Sequence, residues 1–248
     1  MSDTLAFLID APLQSWGVSS KFQLRETDSW PTKSALIGVL AAALGIDKYG
    51  PNEAEKLAPL TALTFSVLRW PKKHPSLRLS DYHTIGGGWP KDRKEHPWAS
   101  MNVPVKATRT STGGPIFIDG PAVETTRTYL TDARFIALFL GDRATLECAA
   151  AALLDPVWGV WFGRKTCIPA EPLSPVVAAS PHEALAVLWQ KLGSDPAEIS
   201  ALEGMTESHG DDRFYQADQP VAFGQHHGAI PAAYLSRPVR RLAPGEMP

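Results

Sequence analysis

The stretch from Pro31 to Ile46, PTKSALIGVLAAALGI, constrains this chain more than any other. Beyond Ser34 it is apolar on every side. Leu36, Leu40 and Leu44 share one face at helical spacing, and Ile37, Ala41 and Ala43 fill the others. A helix apolar all round is predicted to be buried by neighbours on several sides. Gly38 permits close backbone approach, and Gly45 suits the left-handed position after a helix end. Polar atoms sit at one end only, on Thr32, Lys33 and Ser34. That end carries the free N–H groups and the positive pole of the helix dipole. Two readings of it stand side by side. The Thr-Lys-Ser mouth is a phosphate seat, or Thr32 or Ser34 caps the helix while Lys33 is solvated.

A chain of 248 residues, 44% hydrophobic and 20% charged, has material for one large domain or a domain with an appendage. The formal net charge of -2 argues against a histone-like nucleic-acid binder. The average hides a division, however. Residues 69–110 carry nine Lys/Arg against three Asp/Glu, a balance of +6, whereas residues 111–248 carry ten against sixteen. One region is electrostatically set apart. Two cysteines, Cys148 and Cys167, form no CxxC and no disulfide framework. The opening MSDTLAFLID lacks the basic and apolar parts of a signal peptide, and no run has the apolar length to span a bilayer. A soluble cytoplasmic protein is expected.

Leu5–Ile9 reads as a buried strand, followed by a polar and aromatic turn through Gln14, Ser15 and Trp16 to Gly17. Residues 18–30 read as a loop. After the long helix come a short helix near Asn52–Ala58 and a strand over Thr61–Trp70. Gly and Pro are dense through 71–124, where a loop inside a compact domain is usually functional or disordered. Its flanks, Arg78–Thr84 and Glu124–Leu130, read as two arms of a long hairpin with a basic tip. Phe135–Leu140 is a further strand, and Asp142 caps a helix ending at Leu154. Val157–Ile168 reads as a Gly-interrupted strand or glycine loop, Pro181–Leu192 as an amphipathic helix and 193–220 as polar loop. Strand-like fragments fill Val221–Leu242. With the hairpin set aside, the order up to residue 168 is βαβ-βαβ, the ferredoxin-like split motif. The predicted class is therefore α+β: a ferredoxin-like βαββαβ core over 1–173, a hairpin insertion at about 71–130, and a helix and β-rich extension over 174–248.

The search for catalytic chemistry finds no HExxH, GxSxG, Walker A or Cys/His quartet, so no cofactor or metal is expected. His226 and His227 are adjacent, with rings sent to opposite sides of an extended chain, and His209 adds no ligand at metal spacing. A metal-free RNA-cleaving site could use Tyr49, Lys73 and His74, or Tyr82 and His83, but no spacing forces them together. Binding features are richer. Arg164 and Lys165 follow Gly163, where a backbone can approach phosphates. Tyr82 and His83 on one arm, and Arg127 and Tyr129 on the other, offer planar groups that stack on bases or simply pair across strands. With the +6 hairpin they point to single-stranded RNA.

Five ordered motifs then carry a resemblance: LAFLIDAPLQSWG, PTKSALIGVLAAALGI, SDYHTIGG, TRTYLTDARFIALFL and FGRKTCIP. Together they resemble the Cas five family, RAMP proteins of CRISPR interference complexes, and within it the branch of type I-E Cascade. The resemblance spans roughly residues 4–173, and the tail from Asp211 to Arg240 is similar more loosely. Residues 89–122 and 193–210 match none of its motifs. The resemblance implies a non-catalytic RNA-binding subunit of a ribonucleoprotein complex for antiviral defence, gripping the 5′ handle of the CRISPR RNA. It implies an RRM-related core and a hairpin "thumb" that crosses the guide and folds over the adjacent backbone subunit, CasC. Contacts with the large subunit CasA, and with target DNA near the PAM-proximal end of the guide, are implied as well. The alternative, known among relatives outside type I-E, is metal-independent cleavage of the repeat RNA. Carried onto this sequence, the expected RNA-binding residues are Gln14, Ser15, Trp16, Lys33, Ser34, Tyr82, His83, Arg109, Arg127, Tyr129, Arg164 and Lys165. Lys33 and Arg164 are expected to be surface cations whose replacement spares the fold.

Overall fold

Strand β1 (Asp3–Asp10) buries all six of its central residues. Its alternate side chains serve two different cores. Leu5, Phe7 and Ile9 face one, and Ala6 and Leu8 the other. Such a strand belongs in the interior of a sheet covered on both faces. The computed structural model, which describes residues 3–17, 23–70, 76–85, 123–224 and 234–248, places it there.

The main sheet has seven strands in the order β10 (Phe214–Pro220), β11 (Tyr234–Leu242), β9 (Glu203–Glu207), β4 (Thr64–Arg69), β7 (Arg134–Gly141), β1 and β8 (Val176–Ala178). Every neighbouring pair is antiparallel. On one face, helices α1 (Lys33–Ala43) and α3 (Arg143–Leu154) bring Leu36, Leu40, Leu146 and Leu153 onto Phe7, Phe65 and Phe139. On the other, α4 (Pro181–Lys191) lays Leu185, Leu188 and Trp189 over Ala6, Leu8 and Leu68. Trp189 stacks on Trp70 with ring centroids 4.1 Å apart. Asp142 caps α3 by accepting from the Thr145 N–H at 3.0 Å. Helix α1 closes on Leu44 and Gly45. Gly45 has φ +70°, its N–H donates to Ala42 O, and the Ile46 N–H donates to Ala41 O. This is the paired-bond Schellman ending that the glycine announced.

A second sheet forms the hairpin. Its arms, β5 (Leu77–Ile85) and β6 (Val123–Thr131), pair along their whole length from Leu77↔Thr131 to Ile85↔Val123. On its other side β6 holds two short strands, β2 (Leu13–Gln14) antiparallel and β3 (Leu24–Arg25) parallel. The basic tip, with Arg109, lies outside the described residues.

Three expectations from the sequence need correction. Of the two readings of Val157–Ile168, the strand is wrong and the glycine loop is right. It is a run of bends and turns, and the strand beside β1 is Val176–Ala178, just beyond the expected boundary at 173. Residues 193–220, read as polar loop, contain a 3-10 turn at Pro196–Ala201 and strands β9 and β10. Their pairing is set by partners rather than by apolar alternation. Polar Thr206, for example, is buried because its hydroxyl meets Ser66 Oγ at 2.7 Å on β4. Residues 18–30, read as loop, include β3, which exists only because β6 offers it an edge. Helix α2 (Glu53–Thr61) runs slightly beyond the expected span. Among the described residues, no helix is long and apolar enough to cross a membrane.

Candidate nucleic-acid interface

Helix α1 is not enclosed on every side. Ser34, Ala35, Gly38 and Ala42 follow one another along one half-exposed stripe, and that stripe floors a groove of about 420 Å³. Arg25, Trp161, Gly163, Arg164 and Phe223 wall it. The small side chains matter, because they leave a channel along the helix. A methyl group added at Gly38 would meet only the rim of Phe223, at 3.9 Å.

The wall opposite the helix is the loop after Phe162. Gly163 has φ +105°, and a side chain there would collide with the Ser15 carbonyl and hydroxyl. The loop is knitted to the strand-end turn. The Ser15 N–H donates to Phe162 O at 3.0 Å, and the Arg164 N–H donates to Ser15 Oγ at 3.0 Å. Behind it, Trp16 and Phe162 pack with centroids 6.2 Å apart, and Thr27 Oγ1 accepts the Trp16 N–H at 2.7 Å. Phe223 is fixed from below. Buried Glu53, at the start of α2, accepts the Phe223 N–H at 2.7 Å and the Gly224 N–H at 3.1 Å.

Of the two sequence readings of the helix mouth, the cap is met and the solvated lysine is not. Thr32 caps α1, its hydroxyl accepting from the Ala35 N–H at 3.3 Å. The anion at the positive pole is supplied by the protein itself, because the Lys33 N–H donates to Asp218 Oδ2 at 2.8 Å. Lys33 is only 2% exposed. Its Nζ meets Glu207 Oε1 at 2.9 Å, while Arg237 grips Asp218 through bonds of 2.6 and 2.9 Å and lies 3.6 Å from Glu207. Two cations and two carboxylates thus form one buried network at the mouth. Burial pushes the Lys33 ammonium below its ordinary value, against the pull of the Glu207 carboxylate. Lys33 is therefore not a surface cation, and the phosphate seat at the helix tip is walled in. Of the three mouth residues, Thr32 and Ser34 line the groove, their hydroxyls 3.3 Å apart.

Arg164 is not a free cation either. Its guanidinium donates to Thr128 O at 2.7 Å and Arg25 O at 2.6 Å, and lies 4.6 Å from the centroid of the Tyr129 ring. It staples the groove wall to the hairpin. Tyr129, 4% exposed beneath it, offers no stacking face to solvent. Gln14 and Trp16 are fully buried, with Gln14 Nε2 donating to Ala133 O at 2.6 Å, and Ser15 is nearly so. Gln14, Trp16 and Tyr129 shape the groove from behind, and Ser15 belongs to its lining. Lys165 is exposed in the loop, its ammonium 5.7 Å from the Trp161 centroid. Farther along the hairpin, half-exposed His83 and Arg127 share one face, and strongly exposed Tyr82 lies on the other. A hydrogen bond to Glu124 holds the Tyr82 phenol above its ordinary value. Of the residues considered for cleavage, Tyr49 is exposed in the turn after α1 beside Lys48. Lys73 and His74 lie outside the described residues, as do His226 and His227.

Sequence reasoning missed Arg25, Gly38 as a channel, Trp161 and Phe223. Gly38 and the small residues at i±4 were visible as a stripe. Phe223 carried no signal, since only the distant Glu53 explains its place.

The chain is 28% identical over 245 residues to the CRISPR system Cascade subunit CasD of Escherichia coli (strain K12), covering 96% of this chain and 94% of the relative. Its structure is similar to a chain of a CRISPR RNA-guided surveillance complex, with TM-score 0.66 and 27% identity over 99% of this chain and 91% of the other. It is also similar to a crystal structure of a Cas protein, with TM-score 0.61 and 25% identity over 98% and 95%. The model of the family described as CRISPR-associated protein (Cas_Cas5) matches residues 4–229. A match over nearly the whole chain assigns the family: this protein belongs to the Cas five family of CRISPR-associated proteins.

Proposed function

We propose that this chain is a non-catalytic, RNA-binding subunit of a type I-E CRISPR surveillance complex that holds the 5′ handle of the CRISPR RNA. The observation that carries the reading is the open groove along α1, floored by Ser34 and Gly38 and walled by Arg25, Trp161 and the glycine loop. A single strand is recognised by this combination of hydroxyls, cations and planar side chains beside a closely approachable backbone. The order β4–β7–β1–β8, with α1 and α3 on one face, corresponds to second-third-first-fourth of a split βαβ pair. We read it as the ferredoxin-like, RRM-related core, covering the chain to about residue 178, the end of β8, with the β-rich extension added on the β4 edge. The β5–β6 hairpin would be the thumb, laid across the guide and onto the adjacent CasC backbone subunit. The remaining surface would meet CasA and target DNA near the PAM-proximal end. Base pairing by the guide, rather than this subunit, would read the target.

Gly38→Leu tests the reading. The new side chain fills the channel without touching the core and raises helix propensity. Affinity for repeat-derived RNA, measured by fluorescence anisotropy, should fall about tenfold or more while the melting temperature holds. The wild-type chain should leave that RNA uncut. Unchanged affinity would remove the groove from the account.

A further inference from the structure

A second hollow, of about 250 Å³, lies between the segment leading into α1 and the outer strands of the main sheet. Trp30, Phe214, Tyr215 and Met205 line it, and Asp28 and Arg241 border it. It is smaller than the roughly 300–1,000 Å³ of pockets that hold a whole small molecule, and has room for one ring. Its walls are already ordered. The Arg69 guanidinium lies 3.9 Å from the Trp30 centroid and is itself held by Glu203 Oε1 at 2.8 Å and Ser29 O at 3.0 Å. Arg213 donates to the Tyr215 hydroxyl at 3.4 Å while the carbonyls of His209 and Gly210 hold its other end. A guest loses little affinity to ordering such walls. Phe214 and Tyr215 are nevertheless 42% and 65% exposed. Aromatic side chains, Met and Arg are the residues in which the centre of a protein–protein contact exceeds ordinary surface. A pocket that takes up one partner side chain is a common form of hot spot there.

The surroundings say what kind of partner fits. Strand β10 is the edge of the sheet, but it is blunted: Asp218 is buried, the register shifts between Gln216 and Gln219, and Pro220 ends the strand. A partner therefore docks by a side chain rather than by adding a strand. Charge is nearly balanced, because Asp28, with Asp211 and Asp212 in the exposed turn before β10, opposes Arg213 and Arg241. A polyanion gains little at such a rim. One cation is left over for a partner. On β4 and β11, Arg69 pairs with Glu203 at 2.8 Å, Arg237 with Asp218 at 2.6 Å and Arg240 with Glu246 at 2.6 Å. Exposed Arg241 has no carboxylate partner among the described residues.

We propose that this hollow docks one aromatic side chain of a protein partner, delivered with a carboxylate beside it for Arg241. The inference goes beyond the RNA-binding reading and does not depend on it. The test titrates the isotope-labelled full-length chain with the blocked peptide Gly-Asp-Phe-Asp-Gly, with the same peptide carrying Ala for Phe or Lys for both Asp, and with oligo(A) and oligo(U) RNA. The readout is the Trp30 indole N–H resonance, assigned from Trp30→Phe. The acidic aromatic peptide should move that resonance and bind about tenfold more tightly than the alanine form and about threefold more tightly than the lysine form. Phe214→Ala should remove the preference for the aromatic ring, and Arg241→Glu should invert the preference between the Asp and Lys forms. Both replace exposed residues and should hold the melting temperature. Gly38→Leu should leave peptide binding unchanged. An unmoved Trp30 resonance, equal binding of the alanine form, or a charge preference that survives Arg241→Glu overturns the inference. So does a Trp30 response to RNA in place of peptide, or one to protein concentration alone, which would mark a second copy as the occupant. Each of these outcomes leaves the groove reading standing.

Discussion

Asp218→Ala should destabilise the chain by about 3–5 kcal/mol, the range for breaking a buried ion pair by removing one partner. The carboxylate it deletes is 2% exposed and carries three hydrogen bonds, one from the α1 N-terminus and two from Arg237. Without it, Arg237 and Lys33 remain buried against Glu207 alone. In a chain of this size the melting temperature should fall by about 10 °C. Removing Arg237 as well, as Asp218→Ala with Arg237→Met, should recover part of the loss, because the stranded charge goes with it. A denaturation midpoint unchanged by Asp218→Ala would show the network to be energetically idle. The same geometry reverses the expectation that Lys33→Glu with Arg164→Glu spares the fold. A glutamate at 33 would face Glu207 and Asp218 in a dry site.

Gly163→Ala carries the other large effect. The position combines a left-handed φ with a side-chain direction aimed into Ser15. Strain of about 1–3 kcal/mol and overpacking of a similar size act together, so a loss of about 2–6 kcal/mol is expected. The loop must move, and with it the Arg164 N–H bond to Ser15 and the wall of the groove. RNA affinity should therefore fall further than in any variant confined to the groove surface. Chemical denaturation and anisotropy on the same sample check both halves. A variant that melts normally and binds normally would mean that the turn adapts without cost.

Much of this was readable in the chain. The β1 run, the α1 helix with its glycine ending, the Asp142 cap and the two hairpin arms each declare themselves through local periodicity or a capping residue. The groove was half readable: the right segments were singled out, but the roles of their side chains were exchanged. Lys33 looked like a solvated cation because the carboxylates that bury it lie 174 and 185 residues away. Arg164 and Tyr129 looked like two ligands for RNA and turned out to be ligands for each other. Strand β9, and β10 apart from the loose resemblance of the tail, were hard to see because they are polar and are held by neighbouring strands that no local pattern reports.

The Arg164 staple has a mechanical meaning. One guanidinium joins an arm of the hairpin to the lip of a channel, through Thr128 on the arm and Arg25 beside the lip. Whatever presses on that arm therefore pulls on the lip, and whatever fills the channel stiffens the arm. The hairpin is fastened to the wall of the groove, so the two cannot respond independently.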